Sequence, residues 1–137
     1  MNNFVRELFS VETIEHPKLE TLSETLEIIQ DDYLELLVKN YYVDDEITRN
    51  QKISELNEKI KAEFRERLLK FSAEEHKSFN EFYNGVVDYS DENVYVNLKK
   101  FTNLGMLFLF TINDGKLYTF KIPDELCVVY EEMLKNS

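Results

Sequence analysis

Met106-Leu107-Phe108-Leu109-Phe110-Thr111-Ile112, then Asn113-Asp114-Gly115, then Lys116-Leu117-Tyr118-Thr119-Phe120-Lys121-Ile122 read in succession as strand, turn and strand. Aromatic and β-branched residues crowd both apolar runs, and the Asp-Gly pair supplies the positive φ that a tight hairpin turn requires. Side chains alternate along a strand, so Met106, Phe108, Phe110 and Ile112 project to one side and Leu107, Leu109 and Thr111 to the other. Both faces of the first strand are therefore apolar, more than a two-stranded ribbon covers by itself. Either helices sandwich the hairpin, or one face is left for a partner or for self-association; internal burial is the expected outcome.

The flanks of the hairpin read as helices. Ser90-Asp91-Glu92-Asn93 starts one that runs to about Asn103, and Gly105 is placed to end it in a left-handed conformation. Pro123 ends the second strand, and Asp124 can cap a last helix, Glu125–Lys135, with Leu126, Val129, Tyr130, Met133 and Leu134 available for packing. Upstream, Ser72-Ala73-Glu74-Glu75 has the spacing of a capping box. It starts a helix whose Phe79, Phe82, Tyr83 and Val86 are expected inward and whose end Gly85 weakens. Helix, turn, helix, hairpin, helix is also the ending of a winged helix-turn-helix, with Asn93–Asn103 at the recognition position.

Ile53, Leu56, Ile60, Phe64 and Leu68 step by three or four and define the apolar stripe of a long helix, about Arg49–Phe71. Its other side carries pairs of favourable polarity, Glu55 with Lys59, Glu63 with Arg67 and Glu66 with Lys70. Leu19, Leu22, Leu26 and Ile29 form a further stripe. A helix near Asp31–Asn40 follows it, turning Leu34, Leu37 and Val38 inward; the pattern leaves open whether these are two helices or one bent helix. Tyr41-Tyr42-Val43 reads as extended and Asp44-Asp45-Glu46 as a loop. A short helix near residues 2–9 precedes a break at Pro17. The expected fold is a mainly helical α+β domain spanning 1–137, helical to about residue 104, with the hairpin and closing helix over 105–137.

With 43% hydrophobic and 13% aromatic residues, the chain can build a packed core. Its net charge of −11 opposes long-range attraction to phosphate backbones. That charge is concentrated: residues 1–50 hold 12 acidic and 4 basic side chains, whereas residues 51–100 hold 10 and 9. An acidic first third suits a basic partner surface. Cys127 is the single cysteine, so no internal disulfide forms, as befits a cytoplasmic protein. No long apolar segment marks a signal peptide, and no run approaches the ~18 residues that span a bilayer.

Little here carries catalysis. His16, His76 and Cys127 share no metal-ligand spacing, and Glu75-His76 belongs to no HExxH helix. No serine sits in a Gly-x-Ser-x-Gly turn, and glycines 85, 105 and 115 are isolated, so nothing Gly-rich cradles a phosphate. A non-enzymatic protein without cofactor or metal is expected.

Two segments resemble known modules. Tyr33-Leu34-Glu35-Leu36-Leu37-Val38-Lys39-Asn40-Tyr41-Tyr42-Val43, followed by Lys52-Ile53-Ser54-Glu55-Leu56-Asn57-Glu58-Lys59-Ile60, resembles the helix–extended–helix pattern of SAP and Rho N-terminal-like modules. That resemblance implies nucleic-acid binding through basic residues near the loop and second helix. Here the loop is Asp44-Asp45-Glu46, with Arg49 and Lys52 after it, so no binding residue carries over. Residues 103–126, from Asn103-Leu104-Gly105 to Ile122-Pro123-Asp124-Glu125-Leu126, are similar to the C-terminal hairpin of uncharacterised proteins from low-G+C Gram-positive bacteria and their mobile elements, a likeness that implies no function.

Two surfaces remain as candidates. Glu20, Glu24, Glu27, Asp31 and Glu35 recur every three or four residues and form one acidic ridge if the helix is continuous, a dock for a basic protein. The second is a nucleic-acid face of Asn97, Lys99 and Lys100, with Lys116 and Lys121 on the hairpin beside Asn93, Thr102 and Asn103. Docking of a protein partner is the leading reading and nucleic-acid binding the alternative.

Overall fold

Thr21, Thr48 and Ser72 each accept at the hydroxyl from the amide three residues on, and Glu24, Gln51 and Glu75 accept from the cap amide in return. Three helices thus begin with complete capping boxes, which satisfy first-turn donors that have no partner within the helix. The computed structural model describes residues 12–15, 18–112 and 117–136. Among them are six helices: α1 (Leu22–Ile28), α2 (Asp31–Asn40), α3 (Arg49–Leu69), α4 (Ala73–Asn84), α5 (Glu92–Asn103) and α6 (Asp124–Lys135). Three strands, β1 (Thr13–Glu15), β2 (Phe108–Ile112) and β3 (Leu117–Lys121), form one sheet in the order β1-β2-β3. The fold is mainly helical α+β, with the small sheet followed by a closing helix. The helix near 2–9, Pro17, the Asn113-Asp114-Gly115 turn and its glycine φ, His16 and Lys116 lie outside the described residues.

The sheet differs from a two-stranded ribbon. β1 pairs in parallel with β2, Thr13 opposite Leu109 and Glu15 opposite Thr111, and β3 pairs antiparallel on the other side. β2 is therefore central, which explains its two apolar faces. Leu107, Phe108, Leu109 and Phe110 are all buried. Helices cover both sides. Tyr33 of α2 packs its ring 5.8 Å from that of Phe108. Phe120, opposite Leu109 and so on the other face, meets Phe82 of α4 at 5.1 Å. The apolar imbalance that allowed self-association is resolved inside the chain.

The buried row of α3 is the one its periodicity indicates: Ile53, Leu56, Ile60, Phe64 and Leu68. Phe101 of α5 stands at the centre of a ring cluster, 5.4 Å from Phe71, 5.2 Å from Phe79 and 6.2 Å from Phe82. Phe79 extends the cluster to Phe64 on α3 and Tyr130 on α6. Val86, expected inward, is 75% exposed, because α4 stops at Gly85 in a left-handed conformation, φ 76°.

Three helices end with the same hydrogen-bond pair, in which the residue past the left-handed position donates five residues back. Val86 donates to Glu81 after Gly85, and Met106 donates to Phe101 after Gly105. At the end of α2, Val43 donates to Val38 and Tyr42 to Lys39, with Tyr42 itself at φ 55°. Tyr41-Tyr42-Val43 is a helix-ending turn, not an extended segment. It buries Tyr41 and Val43 and leaves Tyr42 88% exposed. A non-glycine residue there carries about 1 kcal/mol of backbone strain. Tyr42→Gly is expected to raise stability by roughly 0.5–1 kcal/mol in urea unfolding; a loss would show that the ring contributes contacts outweighing the strain.

Candidate interaction surfaces

Ile29 and Gln30 are extended, at ψ 152° and 158°, so α1 and α2 are separate helices and the acidic ridge is not continuous. No glycine or proline marks this break. Arg49, the first residue of α3, holds it: its guanidinium donates to the Ile29 carbonyl at 2.7 Å and to Asp31 Oδ1 at 2.6 Å. Four of the five ridge carboxylates have partners within the chain. Glu20 pairs with Lys121 at 2.9 Å, Asp31 with Arg49 and Glu35 with Lys52 at 2.6 Å. Glu24 accepts from Thr21 in the α1 capping box. Glu27 is exposed and has no ion-pair partner among the described residues. The same holds for Asp32 and for Asp44, Asp45 and Glu46 in the loop beyond the exposed Tyr42 ring. Sequence spacing could not reveal this division, since Asp31 and Glu35 find their cations on α3, 18 and 17 residues away.

The α5 face divides in a similar way. Asn97 is 8% exposed and turned inward, which removes it from any nucleic-acid contact. Lys100 pairs with Glu75 Oε2 at 2.5 Å. That hydrogen bond holds the Glu75 carboxyl below its ordinary range, against the opposing effect of burial. Lys121 bridges Glu20 and Asp124. Burial works against its charge, but the hydrogen bonds to the two carboxylates outweigh it and its pKa is raised. Asp124 is accordingly an ion-pair partner in the first turn of α6, whose cap position is Pro123. Lys99 and Asn93 are exposed.

The end of α5 is fastened by a set of donors invisible to pattern reading. Tyr33 Oη donates to the Thr102 carbonyl at 2.6 Å, Asn40 Nδ2 to Asn103 at 2.7 Å and Tyr41 Oη to Leu104 at 2.6 Å. Three side chains of the α2 region thus satisfy three successive C-terminal carbonyls. The end of α2 is served in turn by α3. Lys59 Nζ, expected beside Glu55, donates to the Tyr41 carbonyl at 3.0 Å, and Arg67 Nη2 reaches the Asn40 carbonyl at 3.4 Å. Arg67 also lies 4.4 Å over the Tyr41 ring and keeps its pair with Glu63. Glu66 and Lys70 pair as expected.

Elsewhere, titratable groups meet as structural contacts. Tyr83 donates to Glu131, which pushes the tyrosine pKa up to about 12. The half-buried Cys127 donates to the Ile122 carbonyl, and burial raises its pKa. His76 packs edge-on to Phe71. Among the described residues no three His, Cys, Asp or Glu side chains gather as metal ligands, and no helix is long and apolar enough to cross a membrane.

Comparisons with protein families, with curated proteins and with solved structures find no match for the chain.

Proposed function

We propose that this chain is a non-enzymatic interaction module of the cytoplasm that docks a protein partner through a basic surface on that partner. The supporting observation is the division of its carboxylates. Some hold the fold, whereas Glu27, Asp32, Asp44, Asp45 and Glu46 are exposed without a cation among the described residues. Exposed acids without partners repel one another, and a basic surface relieves that repulsion. The exposed Tyr42 ring adds a large amphipathic contact of the kind that anchors interfaces.

The test uses acids that hold no ion pair among the described residues. Reversing Glu24 and Asp31 would disturb the α1 cap and the Arg49 clamp, so Glu27→Lys with Asp32→Lys is the informative pair. Partners captured on the immobilised chain should be lost in this variant and in high salt, because exposed charges are screened over about 8–10 Å near physiological ionic strength. Because Asp32 sits in the first turn of α2, its reversal should lower stability by about 1 kcal/mol, with cooperative thermal unfolding retained. A nucleic-acid binder gives the opposite sign in a mobility-shift assay: the reversal strengthens binding, and Lys99→Glu with Lys100→Glu abolishes it. That outcome would replace protein docking with the alternative reading.

A further inference from the structure

The ends of α2, α3 and α5 converge around an open groove of about 490 Å³. Arg67, Lys99 and Lys100 line it, in a chain where acidic residues outnumber basic ones 27 to 16. Helix C-termini attract cations, so the first account of these residues is that they answer carbonyl groups. That account covers them only in part. The last carbonyls of α5 are already satisfied by Tyr33, Asn40 and Tyr41. Lys99 has no ion-pair partner among the described residues. Both hydrogen bonds of the Arg67 guanidinium leave from Nη2, and its Nη1 makes none among the described residues. A guanidinium carries five donors, so Arg67 keeps donors that its partners in the fold do not use. Beside these groups, the half-exposed Val96 and the partly buried Leu104 offer the groove an apolar wall.

We propose that this groove binds a small organic oxyanion, its acidic head on Arg67, Lys99 and Lys100 and its apolar body against Val96 and Leu104. Planar guanidinium and flexible ammonium groups together accept either a carboxylate or a phosphate head. The site is independent of the acidic surface assigned to partner docking. Glu63 and Glu75 already offset Arg67 and Lys100, so the local surplus is the one positive charge of Lys99; at about 0.15 M salt, screening over ~8 Å confines the repulsion of the more distant carboxylates.

Backbone amide NMR of the full chain at that salt, titrated with phenyl phosphate, benzoate and inorganic phosphate, tests the proposal. Saturable shifts should centre on Arg67, Val96, Lys99, Lys100 and Leu104, and both aromatic probes should saturate at lower concentration than inorganic phosphate. Whichever of the two saturates first identifies the head group. Lys99→Glu, at an exposed position, should weaken binding at least tenfold; Lys135→Glu makes the same change in net charge on the last turn of α6 and should weaken it less than twofold. Shifts that do not saturate, that scatter over the surface, or that respond equally to both variants would overturn the site, as would an aromatic probe that binds no better than inorganic phosphate.

Discussion

Phe101→Ala should cost about 3–5 kcal/mol in urea unfolding, the range for truncating a fully buried aromatic side chain. Phe101 is wholly excluded from solvent and touches rings from α4 and from the segment after α3, so the cavity would open where three helices meet. The tilted and edge-on geometries add a ring-specific component that an aliphatic side chain cannot replace. Phe101→Leu should therefore recover only part of the loss. A cost below about 1 kcal/mol for the alanine variant would mean that the cluster collapses around the gap and that Phe101 is not its centre.

Gly105→Ala should cost roughly 2–4 kcal/mol in urea unfolding. Two effects combine. Gly105 sits at φ +66°, where an L side chain is strained, and its added Cβ would stand 2.8 Å from Ile60 Cδ1 and 3.4 Å from Leu37 Cδ2. Gly85 supplies the internal control: it shares the left-handed backbone, at φ +76°, but a Cβ there meets nothing within 4 Å. Gly85→Ala should accordingly show the backbone cost alone, about 1 kcal/mol. Ile60→Val removes the obstructing methyl, so Gly105→Ala should cost less in that background than in the parent. Equal costs at positions 85 and 105, or no coupling to Ile60, would rule out the steric component.

Local chemistry made much of this fold readable. Ser72 and Glu75 announced a helix start because a capping box needs only residues three apart. The α3 stripe was visible because 21 consecutive helical residues repeat it. Gly105 was legible as a stop because few other residues adopt its backbone. The misses share a different cause. β1 is three residues long, too short for any periodicity, and it exists only because β2 presents an open edge. The break at Ile29-Gln30 carries no breaker residue and is held by Arg49 from another helix. Tyr42 takes a conformation that composition assigns to glycine. The acidic ridge looked uniform because spacing records which residues share a helix face, not which cations the tertiary fold brings to them. Lys99 and Lys100 were readable as basic, but the groove they line depends on Arg67 arriving from α3.

The donors that secure the end of α5 also impose an order on synthesis. Tyr33, Asn40 and Tyr41 leave the ribosome well before the carbonyls of Thr102, Asn103 and Leu104 exist. β1 must wait for β2, and the Leu22 amide for the Glu125 carboxylate 103 residues later. At roughly 5–20 residues per second, that interval lasts about 5–20 seconds. Throughout it the apolar faces of the early helices have no sheet to cover, and the tyrosine hydroxyls are left to water. Translation pausing before the hairpin would lengthen this exposed interval. The contacts that secure the first hundred residues are therefore complete only once the last thirty have been made.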